Sequence, residues 1–400
     1  MTTPRLRVSW LLYGDRTLAS SRLQGYLVHD ELRRRRIESE LLLAPPFPVK
    51  DVPWPAELDE PLARALADRV VVFQKLGGPR SEDFRRALHR AGAATVYVHS
   101  DLEPENELPL ECDVVVCSSR WLGAWYGERG ARHAVVIPDP AEAWREPARI
   151  DGEPRRPGSL RVAWVGYRKS WETVPPLREV LRRPGLEELE LVTVSNHPEA
   201  DVPWSLESAL HAVESCDVGA VPTRRDESAL AKSSNRVVSF MALGLPVVAD
   251  RIDAYEELIV DGETGFLCNG PEDWERALLA LRSPDLRAEI ARRARERVDP
   301  EFRLETVVGR WLDVLRPLAR DGAPAPRDPR LAASVRMHAA AAYAREALAR
   351  SLPLREVTAQ AGAALAAAGR AGERRAGAAF AAEIGPSLAR RAAAAARRRL

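Results

Sequence analysis

Lys232, Asn235, Arg236 and Ser239 set two cations, an amide and a hydroxyl at i, i+3, i+4 and i+7. That spacing predicts one polar stripe along a helix, with Val237, Val238 and Met241 turned toward a core. Gly244, Pro246 and the apolar run 247–249 follow directly, so the helix should end abruptly and feed a buried strand. A helix start with unpaired N–H groups and flanking cations suits a phosphate group.

Three further constellations fit the same chemistry. Gly166 precedes Arg168 and Lys169 just past the apolar run 160–165, and two cations there can offset charge developing on a departing phosphate. His99 and Asp101 follow the apolar run 94–98; Asp101 can orient a hydroxyl and His99 can polarise one. Glu257 lies just after the predicted buried strand and adds a hydrogen-bond-accepting carboxylate. Each has a plainer reading beside it. The plainer readings make Arg168 and Lys169 loop cations, Lys232 a surface lysine and Glu257 a first-turn glutamate favoured by a helix dipole. His99 can be a strand-end histidine, and the Arg236 stem can cover apolar surface.

The elements that would position these residues alternate. Strand-like runs at 7–12, 37–43, 70–73, 94–98, 113–117 and 134–137 are separated by helical patterns at 21–35, 81–91 and 120–129. A proline-dense loop spans 45–55. After a Pro/Arg/Glu-rich stretch at 138–159 the alternation resumes with strands at 160–165, 189–194, 218–221, 247–249 and 266–268. Helices at 271–281, 286–297 and 302–319 complete it. This pattern predicts an α/β chain with two doubly wound, Rossmann-like domains, residues 1–150 and 151–319, facing a central cleft. Residues 320–400 form an Ala/Arg-rich tail, predicted to be helical and weakly packed, or partly disordered.

Charge and composition narrow the classes. The net charge is +1, but residues 330–400 hold thirteen Arg and four Glu and no Lys or Asp, a balance of +9 that leaves −8 on the rest. The basic charge thus sits on the tail, which suits an acidic partner or a membrane surface. Tyr343 and Phe380 are its only aromatic residues, which disfavours base stacking and so nucleic acid. No apolar run is long enough to span a bilayer, and the N-terminus has no secretory pattern. Cys112, Cys117, Cys216 and Cys268 are scattered without metal-ligand spacing; buried thiols in a reducing cytoplasm are expected, with the basic tail allowing a peripheral place at the membrane, and no metal site is expected.

The run from Lys232 to Phe266 resembles the donor-site signature of GT-B glycosyltransferases, specifically the large retaining group numbered family four. Lys232, Asn235, Arg236, Ala242, Gly244, Pro246, Val247, Val248 and Ala249 match its first segment; Glu257, Asp261, Gly262 and Gly265 match its second. Ala19–Gly25, Phe73–Lys75, Cys112–Ser119 and Val136–Pro140 are similar to parts of that group's first domain, and the likeness covers roughly 5–318. Two positions differ: Ser239 and Ala231 stand where the group carries an acidic pair.

The resemblance implies transfer of a sugar from a nucleotide diphosphate sugar to an acceptor hydroxyl, with retention and without a metal or other cofactor. It implies donor contacts from Gly166, Asn235, Arg236, Ser239 and Glu257. Arg168, Lys169 and Lys232 would face the diphosphate, and His99 and Asp101 the reacting hydroxyls. Two alternatives stay open: a degenerate GT-B protein that binds a nucleotide sugar or a partner without catalysis, and a nucleotide-sugar epimerase of the same shape.

Overall fold

The computed structural model describes residues 5–144, 159–224 and 226–320, together with Leu331, Ser334, Val335, His338, Ala339 and Ala341–Tyr343. The expectations for most of the 138–159 linker and for the tail beyond Tyr343 lie outside the described residues.

Two six-stranded sheets, parallel throughout, organise the chain. The first comprises β1 (Arg7–Leu11), β2 (Glu38–Leu43), β3 (Val70–Gln74), β4 (Ala94–His99), β5 (Val114–Cys117) and β6 (Ala134–Val136), in the order β2-β1-β3-β4-β5-β6. The second comprises β7 (Leu160–Val165), β8 (Leu189–Ser195), β9 (Val202–Pro203), β10 (Val218–Val221), β11 (Val247–Asp250) and β12 (Phe266–Cys268), in the order β12-β11-β10-β7-β8-β9. The central strands read as near-continuous Val, Ala and Phe because helices cover both faces, and such strands have no solvent side to mark with alternation. Four helices carry the argument below: α1 (Leu27–Arg34), α2 (Arg120–Glu128), α3 (Asn235–Ala242) and α4 (Leu304–Leu315).

α3 corrects the opening stripe. The helix begins at Asn235, so Lys232 lies in the turn before it and does not share its face. Ser233 and Ser234 occupy that turn in place of helical residues. Gly244, at φ 70°, ends α3, and Leu245 N–H donates back to the Phe240 carbonyl at 3.0 Å. Only a residue tolerant of the left-handed region fits there, and Pro246 then stops any further helix before β11.

Two C-terminal elements return to the first sheet. α4 was expected to finish the second domain, yet Val307, Val308, Trp311, Leu312 and Leu315 pack into the cluster of Val8, Trp10, Val28 and Leu32. The Trp10 and Trp311 rings are 5.5 Å apart and tilted by 59°. The stripe was visible, but the partner of an amphipathic helix is set by which apolar face is left uncovered, here the one beside α1. Among the described residues of the tail, Val335, Ala339 and Tyr343, four residues apart, enter the cluster of Leu43, Trp54 and Phe73. The Tyr343 ring meets Phe47 edge-on at 5.7 Å.

Candidate functional site

The site is built where the C-terminal ends of β4 and β5 meet the turn before α3. His99 closes β4, Ser119 caps α2 after β5, and residues 231–233 come from the second unit. Asp101 bridges the two units: its carboxylate pairs with Lys75 on one side and accepts from Lys232 Nζ at 2.8 Å on the other. Burial alone would raise this carboxyl, but the two ammonium groups outweigh it and hold it well below its ordinary range. Asp101 is therefore ionised throughout the physiological range, and in this state it occupies the Lys232 ammonium.

His99 does not face the open cleft as expected. It is fully buried, and its Nδ1 lies 2.7 Å from the Tyr126 hydroxyl. Burial is the main reason its pKa falls below the usual histidine value, so the ring is neutral at pH 7. Glu103 stands 3.7 Å from its Nε2, beyond hydrogen-bond reach. A strand-end residue beside the long side chain of Tyr126 is covered by it, which period and propensity alone do not reveal.

Gly166 ends the approach of β7, and its N–H donates to the Val194 carbonyl at 3.1 Å. Arg168 and Lys169 are exposed on the 3-10 turn Arg168–Thr173 that follows, and Arg168 N–H donates to Asn196 Oδ1 at 2.8 Å. Their side chains are thus presented to solvent from an anchored turn. Trp171, under the same turn, stacks on His197 at 4.2 Å and meets Trp164 edge-on at 5.7 Å.

On α3, Asn235 takes the first helical position, and Arg236 Nη1 is buried with no hydrogen-bond partner among the described residues. Ser239 Oγ donates to the Asn235 carbonyl at 2.7 Å, so its hydroxyl is spent inside the helix. Glu257 accepts an ion pair from Arg120 at 3.3 Å; burial raises its pKa, and Arg120 opposes that rise. The structure thus gathers Asp101, Lys232 and the start of α3 around one turn, with Glu257 tied to the start of α2. No contact links Arg168 or Lys169 to Lys232 among the described residues.

Asp139 and Ser119 were not singled out from the sequence. Asp139 is buried and accepts from Gln24 Nε2 at 2.9 Å. Burial raises its pKa, and Gln24 and Ser233 oppose it. Ser119 accepts from Leu122 N–H as the helix cap and donates to the Ala231 carbonyl at 3.2 Å. An aspartate between two prolines and a serine at a helix start are ordinary signals of turns and caps, so only the fold reveals their second role.

The described residues hold no group of three or more His, Cys, Asp or Glu able to take a metal. All four cysteines are buried and free. No helix among the described residues is long and apolar enough to cross a membrane.

This architecture has solved counterparts. A glycosyltransferase from Rickettsia africae superposes with a TM-score of 0.60 at 13% identity, covering 79% of this chain and 100% of that one. HepE of Anabaena, solved with UDP and glucose, gives 0.56 at 14% identity over 77% and 99%. The chain has the GT-B fold. Residues 160–313 match the family model described as "Glycosyl transferase-like". Over 83 residues the chain is 36% identical to the trehalose synthase of Pyrococcus horikoshii, 20% of each protein. Over 84 residues it is 31% identical to the N-acetyl-alpha-D-glucosaminyl L-malate synthase of Bacillus anthracis, 20% of this chain and 22% of that one. The matches thus span about a fifth of these relatives' own length.

Proposed function

We propose that this GT-B protein is a glycosyltransferase that moves a sugar from a nucleotide diphosphate sugar to an acceptor hydroxyl, with retention and without a metal. The observation that carries the reading is the turn before α3. There Lys232, the first N–H groups of α3 and the buried, unpartnered Arg236 Nη1 come from one short segment, 232–236, beside Asp101 of the first unit. Cations and helix N–H groups hold a diphosphate by charge-assisted hydrogen bonds. Arg168 and Lys169, exposed at the end of β7, supply further positive charge to the leaving diphosphate. HepE, solved with UDP-glucose, supports a nucleotide sugar as the ligand of this fold. The first unit would receive the acceptor, with Asp101 orienting its hydroxyl and His99 acting through Tyr126 rather than on the substrate. Residence in a reducing cytoplasm belongs to the same proposal, supported by the four buried thiols.

A second reading, a nucleotide-sugar binder without catalysis, is favoured by one observation: neither Ala231 nor Ser239 offers a carboxylate to the donor. A panel of UDP-, GDP- and dTDP-sugars separates the two. Slow hydrolysis of one donor, lost in Lys232→Ala, supports the transferase. Binding without hydrolysis supports the binder. No binding of any nucleotide overturns both. A charge-assisted contact contributes about 1.5–3 kcal/mol, and freeing Lys232 from a half-exposed pair returns under about 1 kcal/mol. Lys232→Ala should therefore weaken UDP binding by roughly 2- to 30-fold.

A further inference from the structure

Two consecutive residues of the second unit are each held by a different element of the first. Ala231 gives its carbonyl to Ser119 Oγ at 3.2 Å, and Lys232 its ammonium to Asp101 at 2.8 Å. The holding residues come from the ends of β5 and β4 respectively. Ser119 is buried. The Ala231 methyl is itself fully buried in a cluster of first-unit residues, Val115, Cys117, Leu122 and Tyr126.

This grip falls on the turn that presents Lys232 and opens α3. Free in solution, a three-residue turn samples several backbone conformations, and fixing each residue costs about 1–2 kcal/mol. The helix itself does little to fix it: Ser234, at the N-cap position, makes no side-chain cap. The ordering comes from the other unit. The start of α2 also reaches the second donor element, through Arg120 and Glu257.

We propose that Ser119 and Asp101 are positioning residues that set the turn at 231–232, so that the anion site at α3 is ordered only while the two units are apposed. The proposal deepens the glycosyltransferase reading and rests on it for the identity of the ligand, a nucleotide diphosphate. The grip itself is independent of that reading.

The experiment therefore has two arms on the full chain. In the first, amide hydrogen exchange without ligand compares the unmodified protein with Ser119→Ala, Asp101→Asn and Ser119→Thr. Peptides covering 229–236 should exchange faster in Ser119→Ala and Asp101→Asn, by about tenfold for each ~1.4 kcal/mol of lost ordering. β8 and β11 should keep their protection, and Ser119→Thr, which retains the hydroxyl, should restore slow exchange. Unchanged exchange at 229–236 in both variants overturns the proposal, as does faster exchange spread over the whole second sheet. In the second arm, calorimetric titration with UDP should show several-fold weaker binding by Ser119→Ala, recovered in Ser119→Thr. Faster exchange with no UDP binding by any form, the unmodified chain included, sustains the grip and sinks the nucleotide reading. Faster exchange with undiminished UDP affinity overturns the link between the grip and the anion site.

Discussion

Gly166→Ala tests how the cation-bearing turn is held. A methyl group built at position 166 falls 2.5 Å from Cη2 and 2.6 Å from Cζ2 of Trp164. Both distances are far inside van der Waals contact, so the indole must move. It has little room: Trp164 is fully buried and meets Trp171 edge-on at 5.7 Å, and Trp171 in turn stacks on His197 at 4.2 Å. Displacing a packed ring in this way costs about 1–3 kcal/mol. For a unit of this size each kcal/mol moves the melting temperature by roughly 2–4 °C, so a loss of about 2–12 °C is expected. Because Trp171 lies within the Arg168–Thr173 turn, the displacement should also weaken UDP binding. Gly127→Ala is the control. Nothing lies within 4 Å of a methyl there, and the residue is inside α2, so alanine should stabilise by about 0.5–1 kcal/mol. Thermal melts of the full chain, followed by circular dichroism, read both. If Gly166→Ala melts with the unmodified protein, the aromatic stack does not hold the turn and the reasoning fails.

Trp311→Ala should cost about 3–5 kcal/mol in urea unfolding, and amide protection should fall in β1 and α1; protection lost instead in β8 and β11 would refute the placement of α4 on the first sheet. Asp101→Asn should cost about 3 kcal/mol near neutrality, mostly through the Lys75 arm, whose side chain is 10% exposed. The folded carboxyl titrates below its unfolded value of about 4, so its contribution is complete above that pH and is lost as pH falls through the lower folded value. The gap between Asp101→Asn and the unmodified chain should therefore narrow below about pH 4, and a gap unchanged down to about pH 3 would refute the pairing.

Much of this was legible in the residues, for identifiable reasons. Buried parallel strands need apolar runs of four to seven residues, and each run bounded by Gly, Pro or Asp proved to be a strand. Gly244 and Pro246 marked the end of α3 because only such residues satisfy the turn there. The start of α3 was misjudged because Lys232 and Asn235 have the same spacing whether or not the turn between them is helical. β9, two residues long, leaves no periodic trace. Contacts between units were not legible at all. Ser119 and Asp139 have types that turns and caps explain fully, and His99 could not be known to lie beneath Tyr126. The return of α4 and of Val335, Ala339 and Tyr343 to the first unit needed the same knowledge of which faces remained uncovered.

Ala231 and Ser239 bring these points together. Each stands where a glutamate is expected in the related signature, and each is occupied by the fold. Ser239 closes a hydrogen bond within α3, and Ala231 lies in an apolar pocket made by Leu122, Tyr126 and their neighbours. A carboxylate at 231 would enter that pocket without a partner, at a cost of several kcal/mol. A carboxylate at 231 is therefore at odds with the close fit of the two units. Negative charge still reaches the turn, but it comes from Asp101 of the opposite unit. A site whose carboxylates and cations lie on different units is complete only when those units meet, which makes their apposition the step on which donor binding would depend.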